Sequence, residues 1–482
     1  MAQSTQPAKK GYFFGQGYKD MLEAIKNLWK MNAITAQEYS DKYQDKGLMS
    51  IKGVVWFICA LSVVIFGTAF FIAISAVFVV LLFVLFAIVY IFLALVWLLD
   101  RTYLLRNKIF VACIDCKEKS LIPIYICGKC GAKHDNLTPG VYGVLKRRCL
   151  CGNKLPTSSL NGRGNLKAIC PGCTREVFDR ESVPICIPVV GGRSVGKTAF
   201  ITAFSKIFID DVAPSKRWTT SFYNPQKAQI FNEIKADFDK GSTRMTERTQ
   251  DINQTTSVSF SFFVKSDYFK PDRLVHVYDI AGEVFTDGDE NEIQKQYEYC
   301  QGIVFLIDPF SIPTVRHRYD WGLTPADRAG IGMADINGII DTFLNKLRVV
   351  TGLSDSEMMK VPLAVIIGKT DSSNLAAEFS AKKVEAVVGG PPQNKMVYLD
   401  AIDALCRNFL QEHGMESFLQ LIDMKFSANR FFKCSAIGHT RDEGVYKPQG
   451  VMEPMEWLFQ QADPVMRRYW NNTEFSRTPM FR

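Results

Sequence analysis

The clearest chemistry in this chain lies in eight consecutive residues, Gly191-Gly192-Arg193-Ser194-Val195-Gly196-Lys197-Thr198. They match G-x-x-x-x-G-K-[ST] at every fixed position. Glycines at those spacings let backbone N–H groups turn inward around phosphate oxygens, and a helix beginning near Lys197 adds positive potential. Lys197 is placed to reach β- and γ-phosphates, and the Thr198 hydroxyl to bind Mg²⁺. Gly191, Gly192, Ser194, Val195 and Gly196 form the cradle. The context fits, because 185–190 reads as a buried strand and 199–207 as a helix. Pro188 counts against the strand, since it removes one ladder hydrogen bond.

Further strand-like runs follow in order. Residues 256–264 alternate Ser257, Ser259 and Ser261 against Val258, Phe260 and Phe262, the pattern of an edge strand. Residues 274–278 end in Asp279-Ile280-Ala281-Gly282-Glu283. A carboxylate at a strand end can hold Mg²⁺ through water, and the Gly282 N–H can meet a γ-phosphate. Buried strands are expected at 303–307, at 363–367 ahead of Gly368-Lys369-Thr370-Asp371, and at 431–434 ahead of Ser435-Ala436. Strands alternating with helices predict an α/β domain over 183–482. Its extra length lies before 256 and between 309 and 361. Within that length 334–350 reads as an amphipathic helix, and 455–461 as part of a closing helix. These additions are candidate surfaces for a protein partner or for self-association.

Thirteen cysteines could suggest a secreted disulfide protein, but eight of them form four close pairs. Cys113 and Cys116, Cys127 and Cys130, Cys149 and Cys151, and Cys170 and Cys173 have metal-ligand spacing, and thiolates must be reduced to bind metal. Tetrahedral zinc takes four soft donors from two tight turns, so four pairs imply two Zn²⁺ ions in a double zinc-ribbon module over 109–180. Sequential pairing is expected, with a cross-braced arrangement of first and third pairs as the alternative. Between Arg101 and Arg180 there are fifteen Lys or Arg against five Asp or Glu, although the whole chain carries only +8. Nucleic acid is not supported beyond this local basic module. A spacer role, or lipid head groups facing Lys146, Arg147 and Arg148, accounts for it equally well.

No residue from 53 to 99 carries a charge. As helix this run is about 70 Å long against a hydrocarbon core of about 30 Å, which predicts a transmembrane hairpin over 52–100 turning near Ser75. Trp56 and Trp97 then sit at matching depths, flanked by Lys52 and Arg101. The lipid bilayer is thus a predicted partner, and the expected location is a multi-pass membrane protein with both termini on one side. Ahead of it, residues 1–51 form a polar segment. A short amphipathic helix over 18–31 is expected there, either lying on anionic lipid or packed on the rest of the protein. No signal peptide is expected, because the first apolar run follows some fifty mostly polar residues.

Taken together, the phosphate loop, the D-x-x-G block at Asp279, Lys369-Thr370-Asp371 and Ser435-Ala436 resemble the motifs of Ras-like, translation-factor-related P-loop GTPases. The order of membrane segment, zinc module and P-loop domain resembles the bacterial double-GTPase-type proteins of conflict or defence systems. The resemblance implies GTP or GDP as ligand. Asp371 would accept two hydrogen bonds from guanine, Lys369 would lie along the base, and the Ala436 N–H would meet the guanine oxygen. GTP and reduced thiols place the domain in the cytosol. Thr249 is taken as the switch threonine from among Thr246, Thr255 and Thr256. Three departures stand out. Gly368 replaces the Asn or Thr that ties the base loop to the P-loop, which loosens guanine selectivity. Glu283 replaces the Gln that orients water, and its charge predicts slow turnover. Arg193 is either an arginine finger in cis or a solvated side chain. The expected function is a slow GTP-hydrolysing switch at the cytosolic membrane face, with a non-hydrolysing scaffold and an ATPase of the same fold as alternatives.

Overall fold

A computed structural model of the chain describes residues 6–47, 50–113, 116, 118–178, 181–242, 259–279, 300–319, 328, 331–332, 335–354, 357–372, 374–438 and 444–470. Two compact units result. One comprises Met1–Ile109 and Ser120–Arg180, the other Phe110–Lys119 and Glu181–Arg482.

In the first unit a helix α1, Gln16–Lys46, doubles back at Gly47 onto a second, α2, that runs without a break over Ile51–Arg106. Gly47 makes the turn at φ +62°, and Gly53 packs so tightly that a Cβ there would reach the Gly47 carbonyl oxygen at 2.0 Å. Aromatic contacts set the antiparallel register: Tyr43 on Phe57, Tyr39 stacked on Trp56, Tyr18 on Phe86, and Phe14 on Tyr90. The expected amphipathic helix is therefore twice as long as predicted and packs along the apolar helix.

The transmembrane hairpin turning near Ser75 is overturned. Ser75 lies mid-helix and its hydroxyl accepts the Trp29 indole N–H at 3.0 Å. The physical reason is the absence of a breaker, since Gly53 and Gly67 are the only glycines in α2 and it has no proline. At 56 residues the helix reaches about 84 Å. Among the described residues it is the one helix long and apolar enough to cross a membrane, so a multi-pass arrangement is not supported.

The first charge after the apolar run, Asp100, ends inside the cysteine module. Its carboxylate pairs with Arg163 at 2.9 Å, with both side chains essentially inaccessible to water, and also accepts the Ser159 N–H at 2.9 Å. The same guanidinium donates to the Leu137 and Thr157 carbonyls. A three-stranded antiparallel sheet joins the chain start, Ala8–Lys9, to Lys146–Cys149 and Lys154–Pro156.

The second unit is built on a seven-stranded sheet. Its strands are β1 (Val183–Val190), β2 (Thr219–Phe222), β3 (Ser259–Ser266), β4 (Phe269–Asp279), β5 (Ile303–Ile307), β6 (Leu363–Ile367) and β7 (Asn429–Lys433). The spatial order is β2-β3-β4-β1-β5-β6-β7, with β4, β1, β5, β6 and β7 parallel, β3 antiparallel to β4, and β2 antiparallel to β3. Parallel strands covered on both faces read as continuous apolar runs, as β5 and β6 do. Ile303, Phe305 and Ile307 pack on the side of α4 (Ile336–Thr351) and α5 (Lys395–Glu412). Val304 and Leu306 pack on the side of α3 (Lys197–Ile207) and α6 (Met452–Ala462).

Pro188 does fall in the central strand. The Cys186 N–H points to the β5 side, where it donates to the Gln301 side chain at 2.6 Å. Pro184 and Pro188 share that parity, so the ladder to β4 loses nothing. The edge-strand reading of 256–264 needs correcting. Its described part is β3, which is interior, because the short strand β2 covers it.

Replacing Arg163 by Met leaves the Asp100 charge buried without its partner. Arg163→Met is expected to lower stability by about 3 kcal/mol, read as a fall in the chemical-denaturation midpoint of the detergent-solubilised protein. An unchanged midpoint would show that the pair holds nothing.

Candidate nucleotide and metal sites

Parallel strands bring their carboxyl ends to one edge, and a ligand site belongs where the strand order reverses. Here the chain fills the sheet to one side of β1 and then to the other, so the reversal lies at the end of β1. The phosphate loop occupies that point. Gly196 caps α3 at φ +94°, and a Cβ on Gly191 would reach the Leu306 carbonyl oxygen at 2.5 Å, so neither position tolerates a side chain. Ser194 is left-handed at φ +62° and exposed, as is the side chain of Arg193 on the crown of the loop. Gly192 and Val195 are buried beneath.

Lys197 is buried and its ammonium donates to the Gly191 and Gly192 carbonyls at 3.0 and 2.9 Å. It stands 3.8 Å from Asp279 Oδ1, while the Thr198 hydroxyl donates to Asp279 Oδ2 at 3.2 Å. The parallel register that sets Val189 beside Asp279 makes this convergence. Burial pushes the Asp279 carboxyl above its ordinary range, against the opposing pull of Lys197 and Thr198. Its Oδ1 accepts no hydrogen bond among the described residues. A buried carboxylate oxygen without a donor, beside a threonine hydroxyl, fits the donor set of Mg²⁺.

The base loop follows β6. Thr370 N–H donates to the Cys434 carbonyl at 3.3 Å, bringing Lys369-Thr370-Asp371 beside the Ser435-Ala436 turn. Ser435 is held by backbone pairing with Gln449 and accepts the Gly438 N–H at 2.7 Å. Asp371 and Ala436 are half-buried. A Cβ at Gly368 would lie 3.6 Å from the Val195 carbonyl oxygen, so the position faces the P-loop with room for a side chain.

Asp308 was not anticipated. Fully buried just after β5, it accepts the Lys369 ammonium at 2.6 Å, the Phe310 N–H at 3.0 Å and the Gly332 N–H at 3.2 Å. Gly332 in turn leaves space for one atom only, since a Cβ there would meet the Arg193 carbonyl oxygen at 2.5 Å. An acidic residue directly after a buried strand, as at Asp279, was the signal available in the sequence. Gly282, Glu283 and Thr249 lie outside the described residues.

With this geometry established, comparison adds the family. A model of the Double-GTPase 2 family matches residues 185–422. The segment is a P-loop GTPase domain of the double-GTPase type. No curated protein matches the chain. Among solved structures, the signal recognition particle receptor SRb-GTP/SRX complex from Chaetomium thermophilum is 11% identical over 53% of this chain and 91% of that one, with a TM-score of 0.23. The GTP-bound Ski7 GTPase-like domain from S. cerevisiae is 12% identical over 60% of this chain and 50% of that one, with a TM-score of 0.25. Superpositions this loose carry no argument. The assignment of the double-GTPase domain rests on the family match and on the strand-end residues.

The cysteines pair in neither expected way. Cys127 and Cys130 gather with Cys149 and Cys151, the second pair with the third. Sulfurs of Cys127 and Cys151 are 3.7 Å apart and those of Cys130 and Cys149 3.5 Å. Four sulfurs at about 2.3 Å from one zinc ion stand about 3.8 Å from each other, so the donor set fits. Of the remaining cysteines of the four pairs, Cys113 and Cys116 belong to the second unit and Cys170 and Cys173 to the first. The antiparallel pairing of Lys146–Cys149 with Lys154–Pro156 places Cys149 and Cys151 in one tight turn, where they meet Cys127 and Cys130.

Two outcomes follow from these sites. The full chain is expected to hold two zinc ions, and Cys149→Ser to hold one, by elemental analysis; two ions in the variant would remove Cys149 from the ligand set. For Asp279 the sign of the linkage is that of a raised acid. Its contribution to the stability of the ligand-free domain is present below the ordinary aspartate value and lost as pH rises through its own, so at neutral pH the buried charge costs stability that a cation offsets. Mg²⁺ enhancement of GTP affinity is therefore expected to weaken as pH falls below neutral in the native protein, and to weaken less in Asp279→Asn. A pH-independent enhancement in both would overturn the assignment.

Proposed function

We propose that this protein is a membrane-anchored GTP-binding switch that hydrolyses GTP slowly. The observation that carries the reading is the convergence of Lys197, Thr198 and Asp279 at the end of β1, within a segment matched by the Double-GTPase 2 family. The P-loop amides and Lys197 hold the phosphates, Thr198 and Asp279 hold Mg²⁺, and Asp371 reads the donor edge of guanine. Magnesium, when bound, neutralises charge on the β- and γ-phosphate oxygens. A carboxylate rejects adenine because it would face no paired donors. Glu283 would align water as an acceptor, but its charge opposes the γ-phosphate, which is the basis for slow turnover. Arg193 on the exposed crown of the loop is placed where it can approach the phosphates without a partner protein.

Anchoring is assigned to α2, whose apolar length exceeds any need of a soluble fold. A role in a conflict or defence system is part of this proposal, and domain order is what supports it. The additions between 309 and 361 are the surface proposed for a protein partner or a second copy. A second reading, an ATPase of the same fold, is favoured by Gly368, which lacks the side chain that would tie the base loop to Val195. A scaffold that binds nucleotide without hydrolysis is disfavoured by the intact trio of Lys197, Thr198 and Asp279.

Nucleotide affinity and phosphate release on the detergent-solubilised full chain separate these readings. GTP and GDP are expected to bind in preference to ATP, with a loss of about 100-fold or more in Lys197→Ala. Phosphate release is expected to be slow, slower still in Arg193→Ala and faster in Glu283→Gln. Preference for ATP would transfer the protein to the second reading, and binding without any release would make it a scaffold.

A further inference from the structure

The small sheet of the first unit carries a row of cations. Lys9 stands directly opposite Arg148 across one strand pair, and Arg148 directly opposite Lys154 across the other. Opposed residues of antiparallel strands share a face at about 5 Å. Lys146, two residues before Arg148, lies on that face too, and all four side chains are exposed. Arg147 between them points the other way and is buried, bonded to the Asn136 carbonyl at 3.0 Å and to Gln6 at 3.1 Å. Like charges set directly opposite destabilise a sheet. Among the described residues none of the four exposed cations has an ion pair or side-chain hydrogen bond to offset that repulsion. Such a row of exposed cations attracts anions from outside.

The surrounding residues decide which anion. Among described residues between 110 and 178 the exposed large apolar side chains are Leu145, Leu150 and Leu160, at 54%, 61% and 71% exposure, and no aromatic joins them. Single-stranded nucleic acid is held by stacking on aromatic rings. Leucines among Lys and Arg instead suit the boundary between lipid head groups and acyl chains. Their place in the fold agrees. Leu160 lies in the turn whose Ser159 N–H holds Asp100, and the Leu145 carbonyl accepts from Asn161 at 2.7 Å in the same turn. These two leucines therefore flank the point where the uncharged length of α2 ends.

We propose that Lys9, Arg148 and Lys154, with Leu150 and Leu160, form a docking face for anionic lipid head groups. The face rests on the membrane reading of α2 and adds to it a preference for lipid charge. Each cation near an anionic leaflet strengthens attraction severalfold, and salt screens it.

The test uses the full chain in lipid nanodiscs with the photocrosslinker p-benzoylphenylalanine in place of Leu150. Lipid adducts are expected in discs containing phosphatidylglycerol. They should fall about tenfold or more in phosphatidylcholine discs, in 1 M salt, and in the Lys9→Ser, Arg148→Ser, Lys154→Ser variant. Lys9→Arg with Lys154→Arg keeps the charge and should keep the adducts, separating electrostatics from misfolding. Adduct yield indifferent to lipid charge overturns the proposal, as does crosslinking to added RNA in preference to lipid. If alkaline carbonate strips the protein from the discs, the anchoring reading fails and takes the face with it. If the protein stays in the disc and no lipid adduct forms, the face alone is refuted.

Discussion

A carboxylate sealed from water has to be given its donors by the protein, and Asp308 receives three, each from a different stretch of chain. Lys369 comes from the base loop, Phe310 from the turn after β5, and Gly332 from the segment leading into α4. Burying the charge without any one of them would cost several kcal/mol, so the three stretches are fixed relative to one another. Gly332 lies against the backbone of Arg193, which brings the phosphate loop into the same arrangement. The tie that an asparagine at position 368 would make from the base loop to the P-loop is absent. Asp308 links the same two loops by a longer route, through the insertion between 309 and 361.

This arrangement explains why the candidate nucleotide residues could be picked from the sequence and their bracing could not. The P-loop, Asp279, Lys369 and Asp371 were proposed from ligand chemistry, which asks for given residue types at fixed spacing and so can be sought in one sequence. Asp308 and Gly332 answer to each other, and their contact exists only after the sheet has aligned β1 with β5. Strand assignment was similarly uneven. The buried parallel strands announced themselves as apolar runs, whereas β2, a four-residue polar strand, has no signature of its own and makes β3 interior.

In the first unit the errors share one cause, which is that length and spacing were read without the partner that consumes them. Forty-seven uncharged residues from 53 to 99 were folded in two to match a bilayer, although nothing between Thr68 and Arg106 can break a helix. The turn was instead at Gly47, where the polar segment begins its return along α2. The four cysteine pairs were visible as candidate ligands, but spacing along the chain does not choose which pairs meet. That choice is made by the strands between them.

The meeting of the second cysteine pair with the third has a consequence for how the module is made. Those four cysteines are all present once the chain has run from Cys127 to Cys151. Closing a loop costs conformational entropy that grows with its length, and a donor set drawn from one short stretch has little to close. During synthesis this set can gather before the strands of the second unit exist. The order of assembly is written into how short a stretch the set spans.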